Sequence, residues 1–339
     1  MTEPHDFAMT PSRRRIIKGM VALGAGIAAP CVLRIGTALA AYPDRAVRIV
    51  VANSPGGPSD IIARLLAASL QQAMGGSFIV ENKGGAGGNI GMGNVARADP
   101  DGYSLLITTS AFVVNPGLYN SLPYDPFKDF VAVAELVSTP NVFAVKPELG
   151  AKTMKDLVAL AKVHPDKLNA ATPPVGTTPY LAVELLKVRE GLPRLATIVF
   201  AGGGDALKAL LGNTVQISVG ALAPARPHLG SGAIVALATT GATRWHDLPD
   251  VPTMAEAGFE EFMLETYVGL MAPAMTPPEI VARLEKETLA ILNRPDIRDK
   301  LAHSGFQVEA KDGKDHTARI VREVAMYRAI IARAAIKKL

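Results

Sequence analysis

The chain of 339 residues has one cysteine, Cys31, and one tryptophan, and its aromatic residues amount to only 5%. A lone thiol cannot form an internal disulfide or a multi-cysteine zinc site. The six histidines are His5, His164, His228, His246, His303 and His316, and none stands with a carboxylate at metal-ligand spacing. They read as surface or capping residues. There is no phosphate-loop lysine motif and no serine in a nucleophile elbow. A basic face is also missing. Of 35 basic and 31 acidic side chains, five basic and two acidic ones lie in the first 40 residues, which leaves the remainder within one charge of neutrality. That balance gives nucleic acid no docking surface. No repeat at solenoid spacing and no low-complexity tract is present. The composition is 49% apolar, so the chain is globular, with length for two domains and a sizeable core.

The basic surplus at the start has its own explanation. Ser12-Arg-Arg-Arg-Ile-Ile-Lys18 precedes an uncharged apolar run from Gly19 to Leu33, and Ala38-Leu-Ala40 is a small-x-small cleavage site. This pattern predicts a secretory signal of the twin-arginine type over residues 1–40, although arginine pairs also occur in general secretory signals. The run is shorter than the roughly 20 residues a membrane span needs, and Arg34 interrupts it. Cys31 lies inside this segment behind Pro30, which does not fit a lipoprotein site. The mature chain then has no thiol, and its expected location is the periplasm.

From Tyr42 onward strands alternate with helices. Val47–Ala52 reads as a strand, Ile61–Met74 as a helix, Ser77–Glu81 as a strand, Ile90–Ala98 as a helix and Tyr103–Thr108 as a strand. A second set begins near Val142–Lys146, and Thr266–Ala272 reads as a return crossing. The alternation predicts an α/β protein with mostly parallel sheets and helices on both faces. Turns at Ser54–Asp60, Gly84–Asn89, Thr108–Ser110, Thr172–Thr178 and Ala201–Gly204 all fall at the carboxyl ends of strands, where open α/β sheets collect ligands. Their glycine amides and threonine hydroxyls are neutral donors suited to a carboxylate, and helix starts add attraction. Asp60, at a helix start, reads as a cap or loop clamp. Gly91-Met-Gly-Asn-Val-Ala96 formally fits a dinucleotide fingerprint, but it lies within a predicted helix and reads as small-residue packing.

Several stretches resemble the Bug-type receptors of tripartite tricarboxylate transporters. They are Ser54–Asp60, Val80–Gly91, Ala98–Tyr103, Asn115–Tyr119, Leu122–Pro126, Asp250–Thr253 with Glu256–Gly258, and Gly269–Pro273. The resemblance covers essentially all of residues 42–339. It implies a two-lobed type II periplasmic-binding fold (a Venus flytrap), with residues 42–142 plus 268–339 as the first lobe and 143–267 as the second. It implies a small organic carboxylate as ligand, a membrane permease as partner, a monomer, no cofactor, no metal and no catalysis. A ligand sensor serving a signalling partner is the alternative. Carried over by position, the first-lobe site is Pro55, Gly56, Gly57 and Asp60, with Gly87, Gly88, Thr108 and Thr109. The second-lobe site is Thr172, Gly176, Thr177 and Thr178, with Gly202 and Gly203.

The chain departs from that family at Val175, Phe200, Gly220 and Tyr267, mostly toward smaller or more apolar character. Gly220 stands where the family usually has an aspartate, which disfavours an amino acid as ligand. A monocarboxylate or aromatic acid is expected, packed by Phe112, Val175, Phe200 and Tyr267.

Overall fold

The computed structural model describes residues 42–260 and 262–339, so the secretory segment expected over residues 1–40 lies outside it. Among the described residues, no helix is long and apolar enough to cross a membrane. The chain begins with β1 (Val47–Val51), α1 (Pro58–Met74), β2 (Phe78–Asn82), α2 (Asn89–Ala96), β3 (Ser104–Thr109), α3 (Ala111–Leu118) and β4 (Phe130–Thr139). It continues with β5 (Asn141–Val145), α4 (Met154–Val163), β6 (Asn169–Thr172), α5 (Thr178–Glu190), β7 (Ala196–Val199), α6 (Gly203–Leu211), β8 (Ile217–Ala221), α7 (Leu222–Gly230) and β9 (Val235–Thr239). It ends with β10 (Thr266–Pro273), α8 (Pro278–Leu292), α9 (Pro295–His303), β11 (Gln307–Asp312) and α10 (Gly313–Arg333).

Two sheets form, each the centre of one lobe. The first runs β11-β4-β10-β3-β1-β2 and the second β7-β6-β8-β5-β9. The two-lobed α/β architecture agrees with the sequence pattern, but both sheets are mixed. Strand β1 pairs in parallel with β2 and β3, and β6 with β7 and β8. The remaining pairings, of β10 with β3 and β4, of β11 with β4, and of β5 with β8 and β9, are antiparallel. The parallel halves are the ones joined by crossover helices, as parallel pairing requires. Strands β5 and β10 instead enter each sheet directly from the other, across Pro140 and after residue 239, and nothing constrains them to run parallel.

Helix α1 shows how the pattern becomes packing. Ile62, Leu66 and Leu70 recur every four residues and bury one stripe against the sheet. Each contributes about 1.5–3 kcal/mol of transfer free energy. Pro58 sits in the first turn, where its missing N–H is no loss. The fingerprint-like glycines of α2 are packing positions. A Cβ on Gly91 would lie 2.6 Å from the Lys83 carbonyl and 2.9 Å from Ala52 Cα, and one on Gly93 2.9 Å from Pro123.

Four elements carry no signal in the sequence reading. Helices α3 and α7 contain Pro116 and Pro227, which mask a helical pattern. Strand β4 carries Glu135 in its middle, buried and paired with Arg319 from α10. Strand β11, Gln307–Asp312, is a polar edge strand.

Candidate functional site

A cavity lies between the two sheets, and the starts of five helices converge on it. Gly57, Pro58 and Ser59 come from the start of α1, and Thr109 and Ser110 from the start of α3. Thr177, Thr178 and Pro179 open α5, Gly202 and Gly203 open α6, and Ala221, Pro224 and Ala225 come from the start of α7. None of these five helices is capped by a side chain. Apart from the Ala111 amide, which Thr109 Oγ1 accepts at 3.4 Å, their first amides are free of side-chain acceptors, and each helix end carries roughly half a positive charge. Among the described residues, no charged side chain lines the cavity. An anion is the species that this arrangement favours.

The volume open to the centre of a water molecule is about 60 Å³. At roughly 10–15 Å³ per water, that holds about four to six waters, or one small organic molecule. Asn53, Ser54 and Ser218 add polar groups. Val142, Ala144 and Leu207 form an apolar wall in the second lobe.

The two lobes touch around the cavity. Ser54 Oγ donates to the Ala201 carbonyl at 2.7 Å. A Cβ on Gly87 would fall 2.4 Å from the Val175 carbonyl, and one on Gly176 would fall 1.9 Å from Asn115 Oδ1. Gly87 and Gly176 have φ of 65° and 93°, which glycine adopts without strain. The second glycine turn is thus a contact between lobes and not part of the cavity wall.

Seven residues expected at the site line the cavity: Gly57, Thr109, Thr177, Thr178, Gly202, Gly203 and Gly220. The others stand elsewhere for identifiable reasons. Pro55 and Gly56 are exposed on the lip. Asp60 turns back to accept the Gly56 amide at 3.0 Å and pairs with Arg64 at 2.9 Å. Burial pushes its carboxyl up, but the Arg64 guanidinium and the Gly56 amide outweigh that and hold it below its ordinary value. It clamps the turn. Gly88 packs against Met92 and the Ala52 carbonyl. Thr108 and Thr172 are fully buried in their strands.

Val175 and Gly176 lie in the loop that touches Gly87 and Asn115. Phe200 packs on the apolar cluster around Leu207 and Leu210. Tyr267 is fully buried on the far side of β10, with its ring 5.6 Å from His316 and 4.5 Å from the Arg319 guanidinium carbon. Its neighbour Thr266 lines the cavity, and alternation along the strand turns Tyr267 away. Phe112 is likewise buried, stacked on Tyr124 at 5.7 Å. Phe112, Val175, Phe200 and Tyr267, expected to pack the ligand, do not line the cavity, and its apolar wall is made of Val142, Ala144 and Leu207.

Asn53, Ser218 and Thr266 are lining residues the sequence reading missed, and Ser59 and Ser110 lie in turns it placed at the strand ends without naming them as site residues. Asn53 and Ser110 follow β1 and β3 almost directly, at the strand ends where ligands collect, and this is a usable signal. Ser218 shares a strand face with Gly220, two residues on.

Comparison with known proteins gives the family of the chain. Residues 62–336 match the family model described as the tripartite tricarboxylate transporter family receptor. The protein BugT of Bordetella pertussis is 32% identical over 299 residues, covering 88% of this chain and 90% of the relative. The solved periplasmic binding protein BugD is 32% identical, with a TM-score of 0.84 over 88% of this chain and all of that one. The R. palustris protein Rpa4515, solved with adipate, is 31% identical, also with a TM-score of 0.84 and the same coverage. With sequence and fold in agreement, this chain belongs to the tripartite tricarboxylate transporter receptor family.

Proposed function

We propose that this chain is a periplasmic receptor that captures one small monocarboxylate or aromatic acid in the interlobe cleft. The closed complex is then presented to the membrane permease of a tripartite transporter. The observation that carries the reading is the convergence of five helix starts, uncapped by side chains, on a cavity that no charged group lines among the described residues. The ligand carboxylate sits at these amides, with Gly57, Thr109, Thr177, Gly202 and Gly203 around it. The apolar body lies along Val142, Ala144 and Leu207, where a second carboxylate would be desolvated without a partner. Gly220 supplies no carboxylate to hold an ammonium group. The adipate bound by Rpa4515 has two carboxylates, so this chain's preference departs from that relative's.

The mechanism is binding alone, with no bond made or broken. The lobe built on the first sheet closes on the lobe built on the second, and a ligand bridging both favours the closed form. Residues 1–40 are the cleaved secretory signal that delivers the chain to the periplasm.

A thermal-shift screen against carboxylic acids tests the reading. A ligand at about 100 times its dissociation constant stabilises by about 2.7 kcal/mol when it binds only the folded chain. The expected hit is a monocarboxylate, with dicarboxylates of similar length giving a smaller shift. A panel led by dicarboxylates or amino acids refutes the ligand class.

A further inference from the structure

Each hydroxyl has one proton and donates one hydrogen bond, which lets seven of the eight hydroxyls lining the cavity, all but Ser218, be followed one by one. Ser54 donates to the Ala201 carbonyl, Ser59 to Asn53 Oδ1, Ser110 to the Glu265 carbonyl and Thr177 to the Pro174 carbonyl. All four protons are directed into the protein. Thr109 Oγ1 accepts from the Ala111 amide at 3.4 Å and keeps its proton for the cavity.

Thr178 on α5 and Thr266 on β10 form the wall nearest the chain crossings, against Asn141. The Leu264 carbonyl only accepts, and it faces Asn141 Nδ2, which fixes the orientation of that amide. Asn141 Oδ1 therefore accepts from Thr266 Oγ1 at 2.8 Å. With that proton committed, the 2.9 Å contact between Thr178 Oγ1 and Thr266 Oγ1 is donated by Thr178. Asn141 Nδ2 closes the ring on Thr178 Oγ1 at 3.2 Å. Both threonine protons are used within this ring, and each oxygen retains one lone pair. This wall of the cavity can accept a hydrogen bond and cannot donate one.

We infer that Thr178 and Thr266 recognise a hydrogen-bond donor on the ligand, and that the ligand is a hydroxylated monocarboxylate. The inference rests on the carboxylate reading proposed above and deepens it. A carboxylate oxygen against this wall meets only lone pairs. An ammonium group would donate, but among the described residues no charged side chain lines the cavity to balance it. A hydroxyl supplies the donor without a charge. The carboxylate then lies at the helix starts and the hydroxyl at the threonine pair.

Titration calorimetry at neutral pH on matched pairs tests this. Each short-chain or aromatic monocarboxylate is compared with its hydroxylated derivatives. At least one hydroxylated acid is expected to bind about tenfold tighter than its parent, the worth of one hydrogen bond. In Thr266→Val that preference falls to about twofold or less, and Thr266→Ser restores it. A purely structural role for Thr266 would weaken both members of a pair alike and leave the preference unchanged, which overturns the inference. Equal binding of acids and hydroxy acids by the unsubstituted protein also overturns it, while leaving the carboxylate reading intact. If no monocarboxylate in the panel binds, both fall together.

Discussion

Ser54 Oγ donates to the Ala201 carbonyl at 2.7 Å, tying the Ser54–Asp60 turn of one lobe to the Ala201–Gly204 turn of the other. On the proposed closing of the lobes, this bond contributes to the closed form and not to the fold of either lobe. Ser54→Ala removes one neutral hydrogen bond. It is expected to weaken ligand binding about two- to tenfold, with little change in the melting temperature of the free protein. Calorimetry paired with a melting scan checks both. A large drop in melting temperature would place the bond's role in folding.

A second closure contact is steric. Gly176 has φ of 93°, and a Cβ there would lie 1.9 Å from Asn115 Oδ1. Gly176→Ala should fold with a modest loss, on the order of 1–2 kcal/mol for a side chain in a left-handed conformation. It should not close. Small-angle scattering with excess ligand is expected to show the radius of gyration of the ligand-free protein. Compaction equal to that of the unsubstituted protein would contradict this.

Charge inside the cavity gives a cleaner test of ligand sign. A Cβ on Gly220 would have nothing within 4 Å, so a side chain fits there without displacing protein atoms. Gly220→Asp brings a carboxylate beside the ligand's own. At about 5–6 Å and an effective dielectric near 20, like charges repel by about 3 kcal/mol, a factor of about a hundred in affinity. Gly220→Asn has nearly the same volume and no charge. The aspartate variant is expected to bind far more weakly than the asparagine variant. Equal losses in the two would mean that volume, not charge, governs the position.

These tests use residues that differ in how far they were legible in the sequence. The turn at Ser54–Asp60 was readable because proline, glycine and a capping carboxylate each have a local reason to be there. Thr177, Thr178, Gly202 and Gly203 were readable for the same cause, as turn residues at strand ends. Tyr267 was not. Sequence supports a strand over Thr266–Ala272 but does not set which face meets the cleft, since that depends on β10 entering between β3 and β4. One residue of phase exchanges Thr266 and Tyr267. Val142, Ala144 and Leu207 were hidden differently: each is an ordinary apolar residue of a strand or helix, and only the opposing lobe makes it a wall. The buried pair Glu135–Arg319 joins residues far apart in the chain, so no local pattern announces strand β4.

The support beneath β10 has a pH signature. His316 is fully buried beside Gly269 and Tyr267. Burial, with a smaller contribution from the Arg319 charge, lowers its pKa from 6.5 to about 3. The folded value lies below the unfolded one, so the fold requires the neutral ring. Its stability contribution is complete above about pH 6.5 and is lost as pH falls toward 3, at up to about 1.4 kcal/mol per pH unit. Urea unfolding at a series of pH values should show a loss of about 2 kcal/mol between pH 6.5 and pH 5. His316→Gln should flatten that slope. If the slope persists in the variant, its source is another group.

The central claim is that an anionic carboxylate is held at the helix starts that meet at Gly57. Gly57 has an extended backbone, and a Cβ there would meet only the Ser54 carbonyl, at 3.9 Å, so Gly57→Val should fold while filling the cavity. The direct measurement is a calorimetric titration of the unsubstituted protein and Gly57→Val with the acid that gives the largest thermal shift. The predicted result is one carboxylate per chain for the unsubstituted protein and no measurable heat of binding for the variant at an unchanged melting temperature. Equal affinity in the two proteins would contradict the account.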